Sequence, residues 1–148
     1  MQIKDMVRRL GQLGDLKREV NELSQRIAEL ELAAQGGSGR ITGLPRGNRV
    51  SDRVARAAAC IADLRERMED RRVDCMEELG RLYAFIDDID DSRLRQIFSA
   101  RYIDGLSWQA VAVRIGEFDE QFPRRLHNRF LQDYINSKFD ENDEREVI

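Results

Sequence analysis

Polar side chains in the segment 119–135 are of the types that read base edges in DNA. Arginine pairs with guanine, asparagine or glutamine with adenine, and glutamate with cytosine. Three apolar residues spaced by four predict that this segment is a helix with one inward face. They are Phe122, Leu126 and Phe130. The outward positions are then Glu120, Gln121, Arg124, Arg125 and Asn128. His127 and Arg129 flank them, where we expect polar surface side chains that contact phosphates.

Two shorter helices are predicted directly before this segment. The first covers residues 92–104 and is followed by Gly105, a residue typical of helix C-termini. The second begins after Ser107, a good N-cap, and ends at Gly116. Its small residues, Ala110 and Ala112, allow the next helix to cross closely. This order is the helix-turn-helix plan, in which the last helix enters the major groove.

The stretch RYIDGLSWQAVAVRIG, residues 101–116, resembles the region 4 helix-turn-helix of sigma-70-type transcription initiation factors. With the continuation DEQFPRRLHNRFL and a coiled N-terminal half, the chain is similar to small phage- and prophage-encoded sigma-70 region 4-like regulators. The resemblance implies a transcription regulator that binds double-stranded DNA and acts on late genes or through host RNA polymerase. It places the recognition-helix roles on Gln121, Arg124, Arg125 and Asn128. It places Ser107 and Gln109 near the phosphate backbone.

Two positions depart from the pattern of that family. Ala110 occupies the place of the usual glutamate three residues after the capping serine, so the reciprocal capping box is incomplete. Pro123 lies in the first turns of the predicted recognition helix. Proline fits there only if the helix begins near Gln121, or if the freed carbonyl finds another donor. A later start would move Glu120 and Gln121 into the turn.

The N-terminal half predicts two long helices around a glycine-rich linker, residues 35–50. Residues 3–34 carry a heptad seam from Leu16 onward, with a bend expected near Gly14. Residues 51–89 carry a longer apolar seam, interrupted by Arg72 alone. Such a stripe must be buried, either on the first helix folded back antiparallel or in a homodimer through the long helices. The linker is expected to be either a flexible connector between the helices or a basic arm that contacts nucleic-acid phosphates.

We therefore predict an all-α protein with a coiled-coil-like antiparallel helical hairpin, residues 1–90, and a helix-turn-helix module, residues 91–139. The acidic segment 140–148 is expected to be a disordered tail. Its charge contributes to a formal net charge of −3, in a chain of which 36% is charged. A net acidic chain predicts weak non-specific affinity for nucleic acid and a greater reliance on specific contacts, although the charge layout allows a local anion-binding face.

Other classes of function find little support in the residue types. One histidine and two cysteines provide no catalytic constellation and no cofactor site, so we expect a protein that is not an enzyme. The aspartate pairs 87–88 and 90–91 suit a helix end and a new N-cap better than a metal. Trp108 is expected to pack rather than stack on a base. The chain lacks an apolar run of membrane-spanning length and a signal region at its start, so the cytoplasm of a bacterial host is expected, with reduced thiols at Cys60 and Cys75.

Two alternatives stay open. One is a small DNA-packaging subunit of a phage terminase, a class that also joins a helix-turn-helix to coiled helices and forms large rings. The other is a scaffold whose helical hairpin binds another protein and whose C-terminal module does not bind DNA. A monomer or dimer in solution would count against the terminase subunit. Retention of a protein partner without retention of DNA would favour the scaffold.

Overall fold

The computed structural model describes residues 2–35 and 49–146, with side chains at 2–35 and 51–141. Within these ranges the chain is helical and forms no strand, which confirms the all-α prediction. The helices are α1 (Ile3–Leu10), α2 (Gln12–Gln35), α3 (Arg49–Asp87), α4 (Ser92–Phe98), α5 (Trp108–Arg114) and α6 (Gln121–Glu146). A π-helical segment, Ser99–Ile103, follows α4 directly. Among the described helices, none combines the length and apolar character that crossing a bilayer requires.

The first predicted helix is divided at Gly11, three residues before the expected bend at Gly14. The Gly11 N–H still donates to the Val7 carbonyl at 2.9 Å, and α2 starts at the next residue. A Cβ on Gly11 would lie 3.2 Å from that carbonyl oxygen, so this position suits glycine. The short α1 packs against α6.

The two long helices are present near their predicted bounds, and most of the glycine-rich linker between them lies outside the described residues. That segment contains Arg40 and Arg46 of the predicted basic arm, whereas Arg49 is the first residue of α3. Along α3 the predicted seam residues from Ala57 to Ile89 are half-buried or buried, with the exception of the exposed Arg72. Val54, at the start of that seam, is exposed.

The chain divides into two compact units, Met1–Asp15 with Glu77–Ile148, and Leu16–Met76. This division differs from the predicted boundary at residue 90, because α1 and the C-terminal part of α3 group with the following short helices. Within the second unit, α2 and α3 are joined by an Arg65–Glu31 ion pair and by Arg71, whose Nε donates to Glu19 at 2.8 Å. The hydrogen bond to Glu19 also raises the pKa of Arg71.

The first unit has its core around Phe98, whose side chain is fully buried. Ile97, Ala100 and Val111 form the adjoining apolar cluster. Asp91 caps α4, since its Oδ1 accepts from the N–H groups of Arg93 and Leu94 at 2.7 and 3.0 Å. The prediction that an aspartate of this region serves as an N-cap is thus confirmed.

Both predicted turn glycines have a backbone conformation that other residues rarely adopt. Gly105 has φ +69° and Gly116 has φ +80°, directly beyond the π segment and α5. The Leu106 N–H donates to the Ala100 carbonyl at 3.0 Å, and the Glu117 N–H to the Ala112 carbonyl at 2.9 Å. The bond from Glu117 closes α5 as in a Schellman motif, and the bond from Leu106 closes the wider π segment.

The last helix continues to Glu146, whereas we predicted its end near residue 135 and a disordered tail at 140–148. Residues 140–146 belong to this helix, and residues 147–148 lie outside the described part. Acidic side chains destabilise a helix mainly near its C-terminus, and ion pairs between residues of the same helix offset this effect. One such pair joins Lys138 Nζ to Glu141 Oε2 at 3.0 Å.

Gly116 and Gly80 provide a matched test of the turn between α5 and α6. Gly116→Ala should lower the free energy of unfolding by about 1 kcal/mol, because the left-handed backbone strains an L-residue although the added Cβ meets no atom within 4 Å. Gly80→Ala, in the interior of α3 with equally open surroundings, should raise it by about 0.5–1 kcal/mol. Urea denaturation followed by circular dichroism measures both, and equal effects of the two substitutions would contradict the assignment of the turn.

Candidate nucleic-acid interface

The start of α6 satisfies the condition that Pro123 imposes. The helix begins at Gln121, whose backbone N–H donates to Asp119 Oδ1 at 2.9 Å, and the Phe122 N–H donates to the Asp119 carbonyl at 3.1 Å. Pro123 is therefore the third helical residue, where the backbone N–H would have no partner within the helix. Glu120 lies in the preceding turn, so its place is outside the helix and Gln121 is the first residue in it.

The buried face of α6 is rotated by one residue from the predicted one. Pro123, His127 and Leu131 are buried, whereas the predicted inward residues are only half-buried on one side of this stripe. Those are Phe122, Leu126 and Phe130. Apolar spacing alone favoured the large hydrophobic residues. Proline and histidine, which are mostly surface residues elsewhere, fill the centre of the interface here.

His127 corrects a prediction, since its side chain is 1% exposed and is not a surface group in contact with phosphates. Its ring stacks on Phe98 with centroids 4.9 Å apart and meets the edge of Trp108 at 5.0 Å. Its Nε2 lies 2.7 Å from the Tyr102 hydroxyl, and its Nδ1 lies 2.9 Å from Asn128 Oδ1. Both ring nitrogens thus have a hydrogen-bond partner, so the ring is buried without an unsatisfied polar atom.

The hydrogen-bond partners determine where the proton of the neutral His127 ring lies. Asn128 Oδ1 can only accept, so Nδ1 carries the proton and donates it. Nε2 is then an acceptor, and the Tyr102 hydroxyl donates to it. Burial raises the pKa of Tyr102 to about 12, so this hydroxyl keeps its proton. Burial also lowers the pKa of His127 from 6.5, as do the nearby Arg101 and Arg124 charges, against an opposing contribution from Asn128.

The opposite face of α6 carries predicted base-reading side chains together with Arg129, a predicted phosphate contact. All are exposed, and their spacings of three and four place them on one side of the helix. They are Gln121, Arg124, Arg125, Asn128 and Arg129. Arg125 pairs with Asp119 at 3.2 Å, whereas among the described residues Arg124 and Arg129 have no ion-pair partner. The structure therefore keeps two arginines on this face available to an anion.

The predicted contacts from α5 are exposed as well. Ser107 caps the helix, because its Oγ accepts from the Ala110 N–H at 3.2 Å. Ala110 offers no side chain to complete a capping box, as the sequence indicated. Gln109 is exposed on the first turn. Trp108 is half-buried, and the Arg101 guanidinium lies 4.8 Å above the centroid of its ring, so its role is packing.

Other chemistry has few candidate residues in the described part of the chain. It contains no group of three or more His, Cys, Asp or Glu side chains arranged to hold a metal ion. Cys60 and Cys75 are free thiols, and burial raises the pKa of the half-buried Cys75. Sequence reasoning missed the contacts of Phe98 and Tyr102 with His127. The one available signal was the single histidine of the chain, in the middle of a helix with aromatic residues at spacings of four.

The burial of His127 predicts a loss of stability in mild acid. The unfolded chain takes up a proton near pH 6.5, whereas the folded ring resists it, so the unfolding free energy falls as the pH decreases from about 6.5 toward the lower folded pKa. The double variant Tyr102→Phe/His127→Phe, which keeps both rings and removes both polar partners, should lose this dependence. Urea midpoints between pH 7.5 and 5 measure it. Since the chain has one histidine, an unchanged slope in the variant would contradict the burial of a neutral ring.

Comparison with known proteins yields no match. No protein-family model, no curated protein and no solved structure is similar to this chain at a significant level. The functional interpretation consequently rests on the residues of α5 and α6 and on their geometry.

Proposed function

We propose that the chain is a sequence-specific DNA-binding transcription regulator of the phage or prophage type, with α6 as the helix that enters the major groove. One observation carries the proposal. The helix buries the stripe of Pro123, His127 and Leu131 and leaves glutamine, arginine and asparagine side chains exposed along the opposite face. A recognition helix needs this division, because one side must be held by the protein while the other reaches base edges.

The packing of the preceding elements supports a helix-turn-helix. α5 contacts both α6 and the π segment, and α4 contacts α6. Ala112 of α5 is buried and Gly116 forms the turn that leads toward α6. Small side chains at such a crossing let two helices approach closely. In this proposal Ser107 and Gln109, both exposed at the start of α5, contact the phosphate backbone beside the groove.

The charges of the face favour specific over non-specific binding. Arg124 and Arg129 are free to contact DNA, but Arg125 is paired with Asp119, and Arg114 of α5 is paired with Asp104. Few unpaired cations and a net charge of −3 give few released counterions, so affinity for random DNA should be low. Base contacts from the exposed face then supply most of the discrimination.

The long helices complete the proposed architecture. Ion pairs join Arg65 of α3 to Glu31 of α2 and Arg71 to Glu19, so the later residue of α3 pairs with the earlier residue of α2. This order is that of helices that run antiparallel within one chain. We propose that they form the helical hairpin and serve as the surface for a second copy of the chain or for the host RNA polymerase, in the bacterial cytoplasm.

A mobility-shift assay against duplexes from the promoters neighbouring the gene tests the proposal. The wild type should bind selected duplexes, and Arg124→Ala/Arg125→Ala should weaken this binding at least about tenfold, since each lost base contact costs about 1–3 kcal/mol. Arg53→Ala/Arg56→Ala, with two exposed arginines of α3 removed, is the charge-matched control and should bind as the wild type does. Absence of binding at low salt, or equal loss in both double variants, would refute sequence-specific binding through α6.

Oligomeric state separates this function from DNA packaging. A regulator whose α2 and α3 form the proposed helical hairpin should be a monomer or dimer in light scattering at micromolar concentration. A large ring of subunits would contradict the regulator and favour a small terminase subunit. Retention of a protein partner without DNA retention would favour a scaffold instead.

A further inference from the structure

Asn128 is held in one orientation by the buried ring beneath it. Its Oδ1 accepts the hydrogen bond from His127 Nδ1 at 2.9 Å, while the residue itself is exposed on the face of α6. No hydrogen-bond partner of its amide nitrogen exists among the described residues. The carboxamide thus directs its oxygen to the protein, and its two N–H donors remain available to a ligand.

The ring that orients Asn128 is itself fixed from several sides. Phe98 stacks on it, Trp108 meets its edge, and the Tyr102 hydroxyl holds Nε2 at 2.7 Å. With Asn128 Oδ1 as the acceptor, the neutral ring carries its proton on Nδ1, and the Tyr102 hydroxyl donates to Nε2. In this tautomer, a flip of the Asn128 amide would place its N–H donors against the Nδ1–H donor.

We propose that His127 is a positioning residue that makes Asn128 read DNA through its N–H donors. A free asparagine reads adenine with two bonds, one accepted from N6 and one donated to N7. With Oδ1 held against His127 Nδ1 and the amide nitrogen without a partner among the described residues, Asn128 matches an edge that offers acceptors. Guanine O6 and N7 provide such an edge in the major groove. The sequence-based expectation of adenine for asparagine is thereby revised to guanine at the base pair that Asn128 contacts. This inference rests on the proposed function of α6.

The DNA experiment is selection from a randomised duplex library. The base that Asn128 reads is the position whose preference disappears in Asn128→Ala. In the wild type this position should be guanine, favoured about tenfold or more over adenine. In Tyr102→Phe/His127→Phe, which frees the carboxamide while it keeps the packed rings, the preference should shift toward adenine. Tyr102→Phe alone retains the Nδ1–H bond to Asn128 and is the matched control, so its preference should stay with guanine.

Two results of the selection would overturn the proposal. One is adenine as the wild-type preference at the position that Asn128→Ala abolishes. The other is an Asn128→Ala effect of equal size in the wild-type and Tyr102→Phe/His127→Phe backgrounds, because a merely structural His127 would not be coupled to base choice. The salt dependence of binding should be the same in all variants, since the number of phosphate contacts does not change.

A second measurement needs no DNA and separates failure of the inference from failure of the proposed function. Nitrogen NMR of the full chain at pH 7.5 should show His127 as the Nδ1–H tautomer, with the Asn128 amide protons in one slowly exchanging environment. Tautomer Nε2–H would overturn the positioning role whatever the DNA result. The expected tautomer without any selected DNA site would refute DNA binding by α6, and with it the base reading.

Discussion

The packing of the Phe98 ring is the interaction on which the unit formed by Met1–Asp15 and Glu77–Ile148 depends. The ring lies 5.7 Å from Phe85 of α3, 5.8 Å from Tyr102 of the π segment, and 5.3 Å from Phe130 of α6, measured between centroids. With His127 stacked at 4.9 Å, one fully buried side chain thus touches four aromatic rings on three other elements. Aromatic pairs at these separations add to the energy of buried area. The direction of α6, and hence of its exposed face, follows from how these rings pack.

A polar ring at the centre of such a cluster costs free energy unless each nitrogen is satisfied. Tyr102 and Asn128 meet that demand from opposite sides, and among the described residues no buried side-chain nitrogen or oxygen is left without a partner. The arrangement also makes the core specific in a way that apolar residues do not. The tautomer with the proton on Nδ1 pairs that N–H with Asn128 Oδ1 and Nε2 with the Tyr102 hydroxyl. The polar core and the exposed face are therefore linked through a single side chain.

Patterns with a local physical cause were predictable from the sequence. The α3 seam, the N-cap at Ser107 and the left-handed glycines at 105 and 116 depend on residues within one or two turns of each other. The proposed interface followed in the same way, because Gln121, Arg124 and Asn128 share a helix face whichever neighbour covers the other side. The burial of His127 did not follow, since it depends on Phe98 and Tyr102, which are distant in sequence. The extent of α6 was likewise not predictable from its acidic end, where composition suggested disorder.

The π segment has a consequence for how this chain tolerates change in length. A π turn closes its hydrogen bond one residue later than an α turn, as between the Asp104 N–H and the Ser99 carbonyl at 3.1 Å. It therefore holds the equivalent of one extra residue between Phe98 and Gly105. Removal of one residue here would restore a regular α-helix, and the side chains that follow would keep their positions about the axis, because the π turn accommodates the extra residue. The segment is consequently a place where the chain can shorten by one residue without turning the residues that follow.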